Sequence, residues 1–423
     1  MGKNCRFYAD IMAMNEEVTG SCNLVVVKFP NGETTRFVVD CGLFQEREYE
    51  ELNQVLPFYP EHIDFCLVTH VHVDHVARLP YMVKEGFYNP IYATEGTSKL
   101  LPLALSDSFK VLNHVSKRKN KKCLYSEMDV DRTLSLVKPC EFDETIDVHP
   151  NIKVTFFYNG HIVGAALILV QISYCGYEDI NLLFTGDYNN KNIFFDVKPL
   201  SKWVLELPLT VIQESTYGDM ESSEIQECFK ENVKKCLNNQ GTVVALVFSL
   251  GRAQEILYVL KCMQEKGELS FEIPIYFDGK LAIRYTNLYI KGDLEIKEEM
   301  RDFLPKNLIF VDKANRGDVL EDKKTKIIVT TSGMGSYGPA QVYIPEYISR
   351  GKALIQFTGF TAEGTLGSRL KNTKIGEFAE VGGMITKKNA DEVNPKRVGL
   401  LGREYFFRVD PYGLVKTLST KFK

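Results

Sequence analysis

The chain of 423 residues lacks several features that would place it in a broad class of protein. No run approaches the roughly 20 consecutive apolar residues that a membrane-spanning helix needs, and the first residues have no apolar core of a signal peptide. The ten cysteines are scattered singly, with no Cys-x-x-Cys pair, which argues against a disulfide framework and a thiolate zinc site. These absences predict a reduced, cytoplasmic protein without a membrane partner.

A strong charge of one sign is also missing, because 51 lysines and arginines stand against 55 acidic residues, for a net charge of −4. Proteins that coat nucleic acid are usually strongly basic. Any nucleic-acid binding would therefore depend on a local basic groove. One basic run lies within residues 117–122, but such a run is more often a solvated surface than a nucleic-acid contact.

Histidine is scarce as well, with seven in the chain, yet three of them fall within six positions. His70, His72, Asp74 and His75 follow an apolar, strand-like run at residues 63–68. On an extended chain, residues i and i+2 point the same way, so His70 and His72 can bind one ion. Asp74 and His75 follow where the chain turns and can reach a second ion. Imidazole and carboxylate groups are ligands of zinc and similar ions, so this motif predicts a metal site.

The four residues match the HxHxDH motif of the metallo-β-lactamase superfamily. Further short motifs resemble those of the same superfamily and occur in the same order along the chain. They are Phe37-Val38-Val39-Asp40-Cys41-Gly42, Asn159-Gly160-His161-Ile162-Val163-Gly164-Ala165 and Phe184-Thr185-Gly186-Asp187-Tyr188. Each alone is usually a turn at the end of an element. Their order, and the apolar runs that precede them, support the resemblance.

A second set of motifs resembles the β-CASP family, whose members hydrolyse nucleic acids. The set consists of Val211-Ile212-Gln213-Glu214-Ser215-Thr216-Tyr217-Gly218, Phe248-Ser249-Leu250-Gly251-Arg252-Ala253-Gln254-Glu255, Thr331-Ser332-Gly333-Met334-Gly335 and the Gly-rich residues 359–367. The resemblance extends over about residues 18 to 370. It implies an α/β protein, an αββα metallo-β-lactamase sandwich with an inserted β-CASP α/β domain. We expect residues 1–205 in the first domain, 206–372 in the insert and 373–423 in a return to the first domain.

The resemblance also implies a ligand set for two Zn²⁺ ions and a reaction. His70, His72 and His161 would hold the first ion, Asp74 and His75 the second, and Asp187 would bridge the two. A metal-activated hydroxide would attack a phosphodiester bond of single-stranded RNA and leave a 5′-phosphate. Asp40 would support the site from behind the ligands, and Glu214 would pair with a late histidine that protonates the leaving oxygen.

That late histidine, and another that completes the second metal site in the family, have no counterpart after His161. The strand-like run at residues 417–423 is of the sort that precedes the first missing motif. One hypothesis is that the chain ends early and holds its second ion weakly. The alternative is that other acidic residues replace the histidines, for which Asp391, Glu392 and Asp410 are candidates.

Candidate RNA contacts come from the two late Gly-rich turns and from two arginines. Such turns can present backbone amides and hydroxyls to phosphates, and arginine is a common phosphate partner. The glycines are as readily explained by tight turns alone. The candidates are Arg252, Ser332, Gly333, Gly364, Thr365 and Arg369.

The sequence thus predicts a zinc-dependent β-CASP ribonuclease that cuts single-stranded RNA internally, with exonuclease activity also open. One alternative is an RNA-binding subunit of the same family with weakened catalysis, which the lost histidines favour. Another is a hydrolase of small phosphoesters or thioesters, which the β-CASP motifs disfavour. DNA as substrate and a homodimer as the assembly are left open by the sequence.

Overall fold

The computed structural model describes residues 7–15, 18–46, 48–216, 225–349, 352–374, 377–381, 384–387 and 391–393. The described residues up to 216 belong to one compact unit, and those from 225 to 393 belong to a second. In this part of the chain no helix is both long enough and apolar enough to cross a membrane.

Two sheets form the middle of the first unit. The first sheet has the order β1-β2-β3-β4-β5-β6, with an antiparallel meander of β1, β2 and β3 followed by parallel strands. Its strands are β1 (Tyr8–Ala13), β2 (Asn23–Lys28), β3 (Thr34–Val39), β4 (Phe65–Leu67), β5 (Ile91–Thr94) and β6 (Val137–Cys140). Helices connect its parallel strands, namely α1 (Val73–Val76), α2 (Leu79–Lys84), α3 (Glu95–Arg118) and α4 (Glu127–Leu136).

The second sheet has the order β11-β10-β9-β8-β7 and is antiparallel except for the parallel pair of β10 and β11. Its strands are β7 (Thr145–His149), β8 (Ile152–Tyr158), β9 (Ala166–Ile172), β10 (Ile180–Phe184) and β11 (Leu209–Ile212), and α5 (Lys202–Leu205) precedes β11. Short 3₁₀ turns elsewhere cover Glu50–Gln54, Pro60–His62 and Glu298–Arg301.

Alternating apolar residues bring the two sheets together. Phe37 and Phe65 of the first sheet pack in one buried core with Phe156 and Phe184 of the second. The rings of Phe37 and Phe65 stack with their centroids 4.8 Å apart. Burying one such side chain contributes about 1.5–3 kcal/mol. On the outer faces, α3 packs on β5 and β6, and the segment with α5 covers a second cluster on β8, β9 and β10. The layers are therefore α/β/β/α, as predicted.

The second unit is built on one parallel sheet of the order β14-β13-β15-β12-β16-β19. Its strands, with the separate hairpin of β17 and β18, are β12 (Thr242–Leu246), β13 (Ile275–Asp278), β14 (Leu308–Val311), β15 (Lys326–Thr330), β16 (Ala353–Phe357), β17 (Phe378–Val381), β18 (Met384–Lys387) and β19 (Asp391–Val393). Its helices are α6 (Ile225–Asn238), α7 (Arg252–Glu265), α8 (Lys280–Lys291), α9 (Arg316–Glu321), α10 (Ala340–Ile348) and α11 (Leu366–Asn372).

Both faces of this sheet are covered, as parallel sheets require. Val244 and Leu246 of β12 lie in a core with Tyr343 and Tyr347 of α10. Val243, which points to the other face of the same strand, is fully buried as well. The unit is thus an α/β domain of the kind predicted for the insert.

The predicted domain boundaries stay a prediction. β11, which the sequence interpretation placed in the insert, pairs in parallel with β10 in the sheet of the first unit. β19, predicted to belong to the return, pairs with β16 in the second unit. The remainder of the predicted return, from residue 394, lies outside the described residues and includes the candidate Asp410 and the strand-like run at residues 417–423.

Candidate metal centre

The candidate ligands of the HxHxDH motif lie where β4 gives way to α1. His70 and His72 follow β4 in the segment that connects it to α1, rather than on the strand itself. His72, with φ −63° and ψ 151°, is the residue immediately before α1. Asp74 and His75 consequently fall in the single turn of that helix. The change from extended chain to helix points the four side chains to two neighbouring positions.

Backbone contacts hold this turn against the segment that leaves β3. The amide of Cys41 donates to the carbonyl of His75 at 2.7 Å, and the amide of Leu43 donates to the carbonyl of Val73 at 3.1 Å. A β-carbon added at Gly42, between these donors, would lie 1.6 Å from the carbonyl oxygen of Asp74. No side chain fits at position 42 while the turn stays in place.

Replacing Gly42 with alanine is therefore expected to destabilise the protein by about 1–3 kcal/mol, as overpacking of a tight contact does. The contact is with backbone, so no side-chain rotation can relieve it. Urea unfolding would measure the change. Gly317→Ala is the control, because no atom lies within 4 Å of a β-carbon there and the site is helical. Equal stability of both variants and the parent would contradict the expectation.

Three imidazoles and one carboxylate form the first ligand group. His72 Nδ1 lies 3.2 Å from His70 Nε2 and 3.0 Å from His161 Nε2. Asp187 Oδ2 lies 3.7 Å from His161 Nε2. Ligands about 2.0–2.1 Å from a tetrahedral zinc are about 3.3 Å apart, so these separations fit one ion. Burial, and then the neighbouring histidines, hold the pKa of His70 well below its usual value, which favours the neutral form that binds metal.

A single amide side chain joins the loops that carry His161 and Asp187. Asn159 accepts a hydrogen bond from the amide of His161 at 2.8 Å and donates to the carbonyl of Asp187 at 2.9 Å. Beside it, the amide of Gly160 donates to the carbonyl of Asn189, and a β-carbon at Gly160 would lie 2.4 Å from that oxygen. The two loops are thus fixed to each other by atoms other than the candidate ligands.

Asp74, His75 and Asp187 form the second ligand group. His75 Nε2 lies 3.3 Å from Asp187 Oδ1 and 4.0 Å from Asp74 Oδ2. This His75 nitrogen is buried, and none of the described residues is placed to form a hydrogen bond with it. Burial opposes protonation of His75, but the carboxylates of Asp187 and Asp40 raise its pKa well above the usual value. A cation at this nitrogen is thus strongly favoured by its surroundings.

The two groups satisfy the requirements of a metal centre. Within each group the candidate ligand atoms lie within 4.8 Å of one another, and Asp187 belongs to both. Burial opposes ionisation of Asp187, but His75, His161 and His70 hold its pKa well below the usual value, so it is a carboxylate. The buried nitrogen of His75, aimed at two carboxylates, is the observation that fits a bound cation best.

Metal binding to the second group is expected to weaken as the pH falls. Burial raises the pKa of Asp74 to about 6, and the pKa of His75 is raised as well, so both hold protons that a metal must displace. Because each displaced proton competes with the ion, affinity should drop about tenfold per pH unit below 6 for each proton. Zinc titration calorimetry from pH 5 to 8 would measure this, and an affinity independent of pH would contradict it.

Behind the ligands, Asp40 and Thr69 fix the orientation of two histidines. Asp40 accepts hydrogen bonds from the Thr69 amide at 2.8 Å, the Thr69 hydroxyl at 2.7 Å and His75 Nδ1 at 2.8 Å. The Thr69 hydroxyl is then left to accept from His70 Nδ1, 3.1 Å away. These contacts keep a proton on each Nδ1 and leave the Nε2 lone pairs for a metal. Asp40 thus contacts one candidate ligand directly, and its predicted role in supporting a metal site stays a prediction.

Glu214 lies beside the Asp187 loop, where its carboxylate binds backbone. It accepts a hydrogen bond from the amide of Tyr188 at 3.4 Å and another from the amide of Thr216 at 3.1 Å. The amide of Glu214 donates to the hydroxyl of Thr185 at 3.3 Å. These contacts place Glu214 next to the loop of Asp187, whereas its predicted pairing with a late histidine stays a prediction.

The predicted RNA contacts lie in the second unit, where the two Gly-rich turns touch each other. The amide of Leu366 donates to Ser336 Oγ at 3.1 Å, and the amide of Gly367 donates to the carbonyl of Met334 at 2.9 Å. These bonds hold the turn containing Ser332 and Gly333 against the turn containing Gly364 and Thr365, so the two turns that carry these candidates are in contact.

The six candidates differ in how their polar groups are engaged. Arg252 forms an ion pair with Glu255 at 2.9 Å, and its side chain is 10% exposed. Thr365 begins α11, where its hydroxyl accepts from the amide of Ser368 at 3.3 Å. Arg369 is exposed on α11. The RNA-binding role of these residues stays a prediction.

Three residues that organise the centre are given no role by the sequence motifs. Thr69 directly precedes His70, and its hydroxyl donates to Asp40. Asn159 lies two positions before His161 and accepts a hydrogen bond from the amide of His161. Arg78 is 1% exposed and donates to the carbonyls of Gly42 at 2.6 Å and Val55 at 3.2 Å. Because Thr69 and Asn159 are close in sequence to candidate ligands, the sequence could have identified them as supporting residues. Nothing in the sequence distinguishes Arg78 from a surface arginine.

Comparison with protein families agrees with this geometry. Residues 18–223 match the family model of the metallo-beta-lactamase superfamily, and residues 253–370 match the Beta-Casp domain. The chain is 30% identical to ribonuclease TTHA0252 of Thermus thermophilus over 84% of this chain and 79% of that protein. The fold, the metal-binding groups and these matches define a protein of the metallo-β-lactamase superfamily. Within it, the chain belongs to the β-CASP family, as the resemblance predicts.

Other relatives are longer proteins. Transcription termination factor FttA of Methanosarcina mazei is 30% identical over 84% of this chain and 56% of its own length. Endoribonuclease ysh1 of Aspergillus fumigatus is 28% identical over 84% of this chain and 42% of its own length. The chain thus spans about half the length of these two curated relatives.

Proposed function

We propose that this chain is a metal-dependent ribonuclease that hydrolyses phosphodiester bonds of single-stranded RNA. The observation that carries the proposal is the pair of ligand groups that share Asp187, with the buried, cation-favouring nitrogen of His75 between two carboxylates. The names of the Thermus and Aspergillus relatives, a ribonuclease and an endoribonuclease, support RNA as the substrate.

The residues of the first unit would divide the work of holding two ions. His70, His72 and His161 would hold the first ion, Asp74 and His75 the second, and Asp187 both. Asp40 keeps the Nδ1 proton on His75 and so prevents its ring from turning over. When bound, two divalent ions would lower the pKa of a water molecule and neutralise charge on the phosphoryl oxygens. We propose a 5′-phosphate as the product end.

Zinc is the proposed metal, because three imidazole nitrogens in the first group suit it better than a hard oxygen-seeking ion. The second group offers three ligand residues in the described part of the chain, one of them shared, against four in the first. We therefore propose that the second ion is the more weakly held of the two. Titration of the metal-free protein with zinc should give two affinities, and two equal strong sites would oppose this part of the proposal.

The remaining assignments are extensions of the same proposal. Arg252, Ser332, Gly333, Gly364, Thr365 and Arg369 are proposed to contact RNA phosphates. The cytoplasm is proposed as the site of action, since all nine described cysteines are free, as in a reducing compartment.

A second candidate function is RNA binding with little or no cleavage. The observation that favours it is the smaller ligand set of the second group in the described residues. A binding subunit should still bind RNA and should still bind metal at His70, His72 and His161. It would differ from an enzyme only in turnover, so the two candidates are separable by experiment.

The test is cleavage of 5′-labelled single-stranded RNA with added zinc by the full chain and by an Asp74→Ala/His75→Ala variant. The matched control is Glu61→Ala/His62→Ala, which removes a neighbouring acid–histidine pair that is exposed to solvent. We expect internal cuts from the parent and the control and none from the first variant. RNA binding without cuts by all three proteins would favour the binding subunit. Cuts that persist in the first variant would refute the proposed centre.

A further inference from the structure

Within the described residues, the outermost strand of the second unit pairs with another strand on one side only. β14 pairs with β13 alone and lies at the end of the strand order. Ile309 and Phe310, at its middle, are each 42% exposed although they are large and apolar. An edge strand with free amide and carbonyl groups and exposed apolar side chains is a template for pairing with another strand.

Two other edge strands of this protein carry devices that oppose such pairing. β6 contains Pro139, which has no amide hydrogen to donate. β7 has an irregular register between Asp147 and His149, and such irregularity disturbs an edge ladder. β14 has neither device, since its residues pair with β13 in an unbroken register and include no proline. The edge at β14 therefore lacks the features that oppose pairing with a further strand at β6 and β7.

The charges at the two ends of β14 are opposite, which makes the strand complementary to itself. Lys306 lies just before the strand and Asp312 just after it, and both are exposed. Antiparallel pairing puts the start of one strand beside the end of the other. In a pair centred on Ile309, Leu308 falls opposite Phe310, and the turn that carries Lys306 falls beside Asp312 of the partner copy.

We propose that β14 pairs in antiparallel fashion with β14 of a second copy of this chain, about a two-fold axis at Ile309. Each interface of this kind is closed, because the same surface serves both partners. The contact would bury the exposed parts of Ile309 and Phe310 and form two symmetric ion pairs between Lys306 and Asp312. A strand from an unrelated protein would satisfy the backbone equally well, but it gives no reason for opposite charges at the two ends.

Neighbouring side chains extend the surface beyond the strand. Phe271 is 50% exposed, and its ring centroid lies 5.6 Å from the ammonium group of Lys306. The carbonyl of Phe271 accepts a hydrogen bond at 3.0 Å from Asn307, which ties it to the start of the strand. The apolar centre with charged ends is the arrangement found in protein interfaces, where a polar rim surrounds an apolar core.

The test is a charge swap on the full chain, read by sedimentation equilibrium. Lys306→Glu places like charges opposite each other twice per dimer, and Asp312→Lys does the same with the other sign. Each variant should raise the dimer dissociation constant about tenfold or more. An equimolar mixture of the two should recover the parent affinity, because the mixed dimer restores an opposite charge at each end. Lys323→Glu, at another exposed lysine, is the matched control and should leave the constant unchanged.

A second measurement does not depend on the charges and guards against local effects at Asp312, whose Oδ1 accepts amides of the following turn. Ile309→Cys should form a symmetric disulfide between two copies under mild oxidation, because residues directly opposite in an antiparallel pair are close enough. Ile290→Cys, 37% exposed on α8, should not.

Several outcomes would overturn the proposal. They are a parent chain that stays monomeric at its highest soluble concentration, a Lys306→Glu variant that dimerises like the parent, a mixture that fails to recover, and an Ile309→Cys variant that forms no cross-link.

Discussion

Asp187→Ala is expected to reduce RNA cleavage by about a thousandfold and to lower the metal content of the protein at the same time. Asp187 is the one side chain that belongs to both ligand groups of the described residues, with Oδ2 3.7 Å from His161 Nε2 and Oδ1 3.3 Å from His75 Nε2. Two-metal catalysis supplies several kcal/mol of transition-state stabilisation, and each 1.36 kcal/mol is a factor of about ten in rate.

Single-turnover cleavage and metal analysis of the dialysed protein would measure the two effects. Asp179→Ala is the matched control, because Asp179 is an exposed carboxylate in the same half of the chain. A variant that keeps both ions but loses cleavage would mean that Asp187 acts on the substrate rather than on the metals. A variant that cleaves like the parent would remove Asp187 from the centre.

Asp40→Asn is expected to lower metal affinity at the second ligand group by about 10–100-fold, in the range typical of residues that support metal ligands. One oxygen of Asp40 accepts from both the Thr69 hydroxyl, at 2.7 Å, and His75 Nδ1, at 2.8 Å. An amide nitrogen in that place would face two donors. The imidazole of His75 would then favour the tautomer with its proton on Nε2, where the ion should bind.

The substitution isolates this hydrogen-bond effect from backbone strain. Asp40 has φ 62°, and asparagine is among the residues that best tolerate positive φ. Asp143 also has φ 62° and is exposed, so Asp143→Asn is a control with the same chemical change at the same backbone angle. Competition with a zinc chelator would give both affinities, and equal values for the two variants would contradict the role assigned to Asp40.

The candidate ligands could be selected from the sequence because each belongs to a short motif that resembles a motif of the superfamily. His70, His72, Asp74 and His75 are close in sequence, and the structure brings His161 to them. Short apolar runs were predictable as strands too, since β15 and β16 have the bounds that their apolar runs suggest. For these features the local sequence and the final structure carry the same information.

Other features depend on contacts that the sequence does not display. In sequence, β11 resembles the first strand of an α/β unit. In the structure, it pairs in parallel with β10 at the edge of the second sheet. β6 could not be predicted because four residues that include Pro139 have no strand pattern. Thr69 and Asn159 are ordinary polar residues until the fold places them between ligand-bearing loops. Tertiary context decides in each of these cases.

Gly42 and Gly160 set a criterion for recognising degenerate relatives of this protein. At both positions a β-carbon would meet backbone oxygen, at 1.6 Å for Gly42 and at 2.4 Å for Gly160. A duplicated gene that loses its selection can keep every histidine and aspartate while alanine enters at either position. Such a copy would pass a survey of ligand residues, although the backbone that carries those ligands would have to shift. Genome surveys for working members of the family should therefore score these two small residues with the same weight as the ligands.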